Sequence, residues 1–251
     1  MKVNILETGS AGNCILATYS DDRKVIFDFG HNAFKRCCEA GIDFHEVDDI
    51  LVTHDHLDHC ADYERMRYLA FSRRLKVITF PVLHNAENKG FIVLNDAKRE
   101  GFIYATDYYQ LPDESLDKIK AMVKFTDWKW MAMLELSYVR WLYKKLDPMQ
   151  MIGLNQHCSD ERFFRYVGEI LAVNPSVNII SVHASARQGE FVLGQGKMGQ
   201  VCPPDDLQKQ FYKRFEGKSV RFGYNVENGK AGMCRTYNYI DINDLKINKN
   251  K

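Results

Sequence analysis

Thr53-His54-Asp55-His56-Leu57-Asp58-His59 follows the apolar run Ile50-Leu51-Val52 directly and sets three imidazoles and the Asp58 carboxylate at one strand-to-loop transition. Neutral imidazole nitrogens and carboxylate oxygens are the preferred ligands of zinc and similar divalent cations, and residues two apart on an extended loop can face one point. In a chain with 8 His, a shuffled sequence would show this H-x-H-x-D-H pattern on the order of once in a thousand chains or fewer. A polar surface turn is the plainer explanation and does not account for the crowding.

A metal site needs ligands from further along the chain. Phe80-Pro81-Val82-Leu83 runs into His84, Phe102-Ile103-Tyr104-Ala105-Thr106 into Asp107, and Asn178-Ile179-Ile180-Ser181-Val182 into His183. Each is an apolar strand ending in a ligand-type residue. Strand ends on one edge of a sheet converge in space, whereas a lone His or Asp is usually a satisfied surface residue.

Around these motifs the chain reads as one soluble domain. Its 251 residues are 45% hydrophobic with a net charge of +1, enough for one layered core and without the positive field that holds long nucleic acids. The N-terminus is neither a signal peptide nor a long apolar span, and no stretch of about 18 apolar residues follows, so no membrane partner is expected. Seven cysteines without a C-x-x-C pair point to a reducing cytoplasm rather than a disulfide framework. A single domain over 1–251 is expected, with the ligand motifs within 1–187 and a C-terminal loop, helix and closing strands over 188–251.

Lys2 to Leu6, Ile15 to Ala17 and Val25 to Phe29 have the pattern of an antiparallel meander. Asn32 to Ala40 reads as a helix closed by Gly41, and Asp49 to Val52 as a strand. Asp62 to Arg74, Leu116 to Leu146, Asp160 to Val173 and Asp205 to Phe215 read as helices. Strands are expected at Val77 to Val82, Phe91 to Leu94, Phe102 to Ala105, Asn178 to Val182, Val220 to Tyr224 and Arg235 to Ile240. The aromatic and basic stretch Trp128 to Lys145 is read as core and solvated helix faces rather than a base-stacking surface. Cys37, Cys38, Cys60, His31 and His45 are read as packing or surface residues. Strands with interleaved and appended helices fit an α/β (α+β) sandwich of two sheets flanked by helices.

Several segments resemble motifs of the metallo-β-lactamase superfamily in kind, order and approximate spacing. Thr8-Gly9-Ser10-Ala11-Gly12-Asn13-Cys14 is similar to the S-G-S-S-G-N-C loop of its YycJ-type branch, and Ile26-Phe27-Asp28-Phe29-Gly30 to the superfamily's I-D-x-G turn. The H-x-H-x-D-H element is highly specific to the superfamily. Phe80 through His84-Asn85-Ala86 to Gly90-Phe91, Ala105-Thr106-Asp107 and Val182-His183-Ala184-Ser185 resemble the third, fourth and fifth motifs. Gln156-His157-Cys158-Ser159-Asp160-Glu161 is similar to G-H-L-S-N-E there and to G-H-S-T in the RNase Z branch. The resemblance spans residues 1 to about 187.

The resemblance implies a four-layer αββα sandwich and a binuclear centre. His54, His56 and His84 would hold one metal, Asp58, His59 and His183 the other, Asp107 would bridge them, and Asp28 would support the cluster. Two divalent cations are implied, zinc first and manganese as the alternative. The implied reaction is phosphodiester hydrolysis by a metal-bound hydroxide, with Asp58 orienting the water and His157 stabilising the phosphate or protonating the leaving group. The partner is a phosphodiester substrate, a nucleic acid or a cyclic nucleotide. Near-neutral charge and the lack of a long basic arm favour the cyclic nucleotide, as in the phage anti-Pycsar enzymes. A homodimer is admitted. The rivals are a thioesterase or lactonase of the same superfamily and a non-catalytic metal-binding module. Two departures stand out: the span between His59 and His84 is short, and Leu134-Glu135-Leu136-Ser137-Tyr138 lacks the histidine that both branches carry at that point.

Overall fold

Alternating apolar runs at the start of the chain form three strands in the computed structural model, which describes residues 1–9, 12–137, 157–182, 205–222 and 238–241. These are β1 (Lys2–Glu7), β2 (Cys14–Thr18) and β3 (Lys24–Phe27), paired antiparallel in sequence. Helix α1 (Ala33–Glu39) ends before Gly41 at φ 68, and β4 (Asp49–Leu51) then pairs parallel to β3. The short helix α2 (Leu57–Cys60) follows. Next come β5 (Lys76–Val82), β6 (Asn88–Asn95), β7 (Glu100–Ala105), α3 (Asp113–Val123) and β8 (Lys129–Glu135). Helix α4 (Asp160–Val173), β9 (Asn178–Val182), α5 (Asp205–Arg214), β10 (Val220–Phe222) and β11 (Asn238–Asp241) complete the described elements. One sheet has the order β11-β1-β2-β3-β4 and the other β10-β9-β8-β7-β6-β5.

Side-chain alternation sorts the core into three apolar interfaces and hence four layers. Val3, Ile5, Ile15, Val25 and Phe27 of the first sheet meet Phe91, Val93, Phe102, Tyr104, Met131 and Met133 of the second. The rings of Phe27 and Phe102 stack there at 4.9 Å. On the outer face of the first sheet, Leu16 and Ile26 pack against Ala33 and Cys37 of α1. On the outer face of the second, Ile92, Ile103, Ala132 and Ile179 pack against Leu116 and Ile119 of α3, Phe163 and Ile170 of α4 and Phe211 of α5. Fully burying each such side chain stabilises the fold by about 1.5–3 kcal/mol. The expected αββα layering is what the chain adopts.

Two expected helices come out differently. Leu116 to Leu146 does not continue as one helix: α3 ends at Val123 and Lys129–Glu135 is strand β8, at the centre of the second sheet. A strand buried on both faces is a continuous apolar run, and periodicity does not separate Trp130-Met131-Ala132-Met133-Leu134 from a buried helix. Residues 138–146 of that stretch lie outside the described residues. Asp62 to Arg74 forms only a 3₁₀ turn at Tyr63–Met66. Further along, Ser72 Oγ, Arg74 Nε and the Arg73 amide all bond Asp48, at 2.6, 2.6 and 3.0 Å, and a continued helix would withdraw those donors.

In the second sheet β7, β8, β9 and β10 run parallel, while β5 is antiparallel to β6 and β6 to β7. The carboxyl ends of β5, β7, β8 and β9 therefore share one edge, where open α/β sheets bind their ligands. His84 and Asp107 follow β5 and β7, and Glu135 closes β8. No described helix is long and apolar enough to cross a membrane.

Candidate metal centre

The histidine turn is folded by what it docks on. His54 and His56 follow β4, His56 in extended backbone, and α2 then tightens the chain, with the His59 and Cys60 amides donating to His56 O. The turn packs on two segments, the loop after β1 and the one after β3: Asn13 N donates to Asp58 O and Phe29 N to His59 O, both at 2.7 Å. A Cβ on Gly30 would lie 1.8 Å from Asp58 O, so only glycine permits this approach.

One carboxylate oxygen is the focus of the site. Asp107 Oδ2 lies 3.1 Å from His54 Nε2, 3.4 Å from His59 Nε2, 3.5 Å from His84 Nε2 and 3.7 Å from His56 Nδ1. Asp58 Oδ2 is 3.4 Å from His59 Nε2. The ligand-type atoms fall into three groups able to hold a cation: His54, His56, His84 and Asp107; Asp58, His59 and Asp107; and Asp107, Glu135 and His157. Asp107 holds its place with φ at 55, a strained conformation for a residue with a side chain, of the kind stored at functional sites. Buried Asn88 secures it by donating through Nδ2 to Asp107 O at 2.7 Å and Thr106 O at 3.1 Å.

Behind the histidines, Asp28 is fully buried and accepts from Thr53 N, Thr53 Oγ1 and Tyr104 OH, while its Oδ2 lies 2.8 Å from His59 Nδ1. Burial opposes its charge, but His59 and these donors hold its carboxyl below the usual range. The contact leaves His59 Nε2 facing the centre. This is the partner arrangement that orients ligating histidines and fixes their tautomer. Burial lowers the pKa of His54 and His84, favouring the neutral imidazole that ligates a cation. His59 is also disfavoured as a charge by burial, yet Asp28, Asp107 and Asp58 raise its pKa well above the ordinary value. The same carboxylates would attract a divalent cation, which would displace the proton from Nε2 on binding.

Both ring nitrogens of His84 are buried without a hydrogen-bond partner among the described residues. Leaving a buried polar group unsatisfied costs about 1–3 kcal/mol. A cation between His54, His56, His84 and Asp107 would satisfy Nε2, so the donor set fits a divalent metal in chemistry and in arrangement.

His157 Nδ1 lies 2.6 Å from Glu135 Oε1 and 3.1 Å from Asp107 Oδ1. Burial works against charge on His157, but the Glu135 carboxylate and the Asp107 contact outweigh it and push its pKa up to about 10. Glu135 is itself fixed by the Tyr108 amide, which donates to its Oε2 at 2.7 Å.

Seven of the eight site residues expected from sequence come together: His54, His56, Asp58, His59, His84, Asp107 and His157. The eighth, His183, lies outside the described residues. His31 and His45 are exposed and join none of the three groups. Sequence reasoning assigned no role to Asn13, Asn88, Tyr104 or Glu135. Two of them carried a signal: Asn13 within the loop similar to S-G-S-S-G-N-C, and Glu135 as an acid at the end of an apolar run parallel to the one that ends before Asp107.

Residues 7–120 match the family described as Anti-Pycsar protein Apyc1. Over 71 residues the chain is 32% identical to the Anti-Pycsar protein Apyc1 of Bacillus phage vB_BveM-Goe7, a stretch covering 26% of this chain and 27% of that protein. The match thus spans about a quarter of the curated relative's length. Among solved structures, the metallo-beta-lactamase fold protein YhfI from Bacillus subtilis is similar at a TM-score of 0.56 and 14% identity, covering 89% of this chain and 96% of that one. A diphosphatase from the PhnP family gives a TM-score of 0.57 at 13% identity, covering 92% and 99%. Two facing sheets, helices on both outer faces and these likenesses give the chain one architecture, the metallo-β-lactamase fold.

Proposed function

We propose that this chain is a metal-dependent phosphodiesterase, with a cyclic nucleotide as the favoured substrate and a nucleic acid as the alternative. The observation that carries the reading is the approach of four imidazoles to the single oxygen Asp107 Oδ2. His54, His56 and His84 would hold one cation, Asp58 and His59 with His183 the other, and Asp107 would stand between them. Zinc is the expected metal and manganese the alternative. When bound, two such cations lower the pKa of water towards neutrality and neutralise charge on the attacked phosphoryl group.

The chain's own residues supply the rest. Asp58, about one-fifth exposed at 21%, accepts a hydrogen bond from the attacking water and orients it. His157, kept protonated by Glu135, donates its proton to the leaving oxygen, and Glu135 holds the ring in place. The cyclic nucleotide is favoured because the anti-Pycsar match covers residues 7–120, which include His54, His56, Asp58, His59, His84 and Asp107. The near-neutral net charge of +1 supports a small substrate over a long polyanion. We place the activity in one domain in the cytoplasm, with self-association into a homodimer left to measurement of mass in solution.

The deciding experiment is turnover of bis(p-nitrophenyl) phosphate, cyclic mononucleotides, labelled oligonucleotides and a thioester, each with zinc and with manganese. Hydrolysis of a cyclic nucleotide is expected, and turnover of the thioester alone overturns the reading.

A further inference from the structure

Beside the metal centre the same sheet edge carries a polar cleft of about 230 Å³, lined by Gln110, Glu161, Arg162 and Arg165. Both of its walls begin at site residues. Gln110 is three positions beyond Asp107, which puts their Cα atoms at most about 11 Å apart. It is tied to the segment before His84, with Leu83 N donating to Gln110 O at 3.0 Å. The other wall is the start of α4, which follows His157. A pocket that encloses a whole ligand has roughly 300–1,000 Å³. This smaller cleft suits one end of a nucleotide whose phosphate sits at the centre.

The side chains decide which chemistry it takes. Arg162 is held by the opposite wall: Nη1 donates to Tyr109 O at 2.8 Å and the guanidinium lies 5.8 Å from the Tyr109 ring centroid. A guanidinium has five N–H groups, so donors remain for the cleft. Glu161 and Arg165 stand one helical turn apart, the spacing of an ion pair. Arg165 instead lies over the Tyr166 ring at 4.8 Å with Nε 3.9 Å from Glu169 Oε1, and Glu161 makes no ion pair among the described residues. A carboxylate here repels a second phosphate. Set beside guanidinium and amide donors, it calls for a ligand edge with N–H groups next to acceptors, which is the edge of a nucleobase. Guanine alone among the common bases places two neighbouring donors, N1–H and N2–H, beside two acceptors, O6 and N7.

We infer that this cleft takes the base of the substrate and selects guanine. Glu161 accepts from N1–H and N2–H, Arg162 donates to O6 and N7, and Gln110 and Arg165 close the sides. This rests on the cyclic-nucleotide reading above and adds the base to it.

The test compares kcat/KM of the full chain for the cyclic monophosphates of guanosine, adenosine, cytidine and uridine. The guanosine compound is expected to lead by about tenfold or more. Glu161→Gln, at an exposed position, turns one acceptor into a donor and should cut the guanosine-to-adenosine ratio about tenfold. A merely structural role would lower all four together and leave that ratio unchanged, which overturns the inference. Binding is read without metal or turnover by titrating guanosine into the cation-stripped, ¹⁵N-glutamine-labelled chain. The Gln110 side-chain amide should shift with guanosine and less with adenosine; equal shifts, or none, overturn the inference. A chain that hydrolyses no cyclic nucleotide overturns the substrate reading itself, whereas hydrolysis of all four at similar rates overturns only the choice of base.

Discussion

The two sheets build the centre in different ways. The first contributes His54, His56, Asp58 and His59 from six consecutive residues, braced by side chains: Asp28 bonds Thr53, Tyr104 and His59, and Asn13 bonds Gly9 and Asp58. The second contributes His84, Asp107 and Glu135 from three separate strand ends, and His157 from the segment before α4. These are joined in part through backbone: Leu83 N donates to Gln110 O at 3.0 Å, Tyr109 N to Leu83 O at 2.9 Å, and Tyr108 N to Glu135. The first side is a local turn that needs a platform. The second exists only when parallel strands are in register.

The contrast is sharpest at the one residue both sides share. Asp107→Ala should reduce turnover to background and remove both cations, as read by metal content after dialysis; retention of two equivalents would break the shared-ligand reading. His56→Ala, at a half-exposed position, should also abolish turnover while leaving the melting temperature nearly unchanged, because ligand loss weakens the metals more than the core.

A change on the bracing side should cost stability as well as metal. Asp28→Asn removes a buried negative charge and an acceptor for His59, and should destabilise the fold by about 3 kcal/mol in chemical denaturation and weaken metal binding about 10–100-fold. A variant of full stability would mean that the first side is not held by this network.

On the strand-end side the effect should fall on chemistry. Glu135→Gln removes the anion that raises the pKa of His157, so turnover should drop about a hundredfold with metal content intact. Activity that needs the protonated imidazole is lost as pH rises through its pKa. A lower pKa in the variant therefore moves the alkaline limb of the kcat profile to lower pH, and an unmoved limb would remove His157 from the role of acid.

The smallest effect is expected away from the centre. Asp48 is buried and accepts from Lys24 N, Ser72 Oγ and Arg74 Nε. Burial opposes its charge, but these donors hold its carboxyl below the usual range. A depressed folded pKa stabilises at neutral pH, and that contribution is lost as pH falls through the folded value. Arg74→Ala should therefore lower the melting temperature slightly at neutral pH, less in acid, and leave turnover unchanged.

Much of this was legible in the residues alone. The crowded histidine turn and the apolar runs ending at His84 and Asp107 announce themselves because ligand chemistry confines them to a few residue types, whereas Asp28 was marked only by the resemblance of Ile26-Phe27-Asp28-Phe29-Gly30 to a superfamily turn. Helix α4 was equally readable, with its boundaries, because Ser159 caps it through a bond from Arg162 N and an acidic first turn follows. Strand β8 was not, since burial on both faces erases the two-residue period that marks a strand.

What composition and order determined is the inventory: which side chains could hold cations, and that apolar strands would carry several of them to a common edge. What only the folded chain decided is which atoms face one another. Glu135 became the partner of His157, and Asn13 the neighbour of His59, through pairings that cross 22 and 46 residues. Nothing local encodes such contacts. They follow from strand register and from loops packed on loops, which form only when the whole core closes.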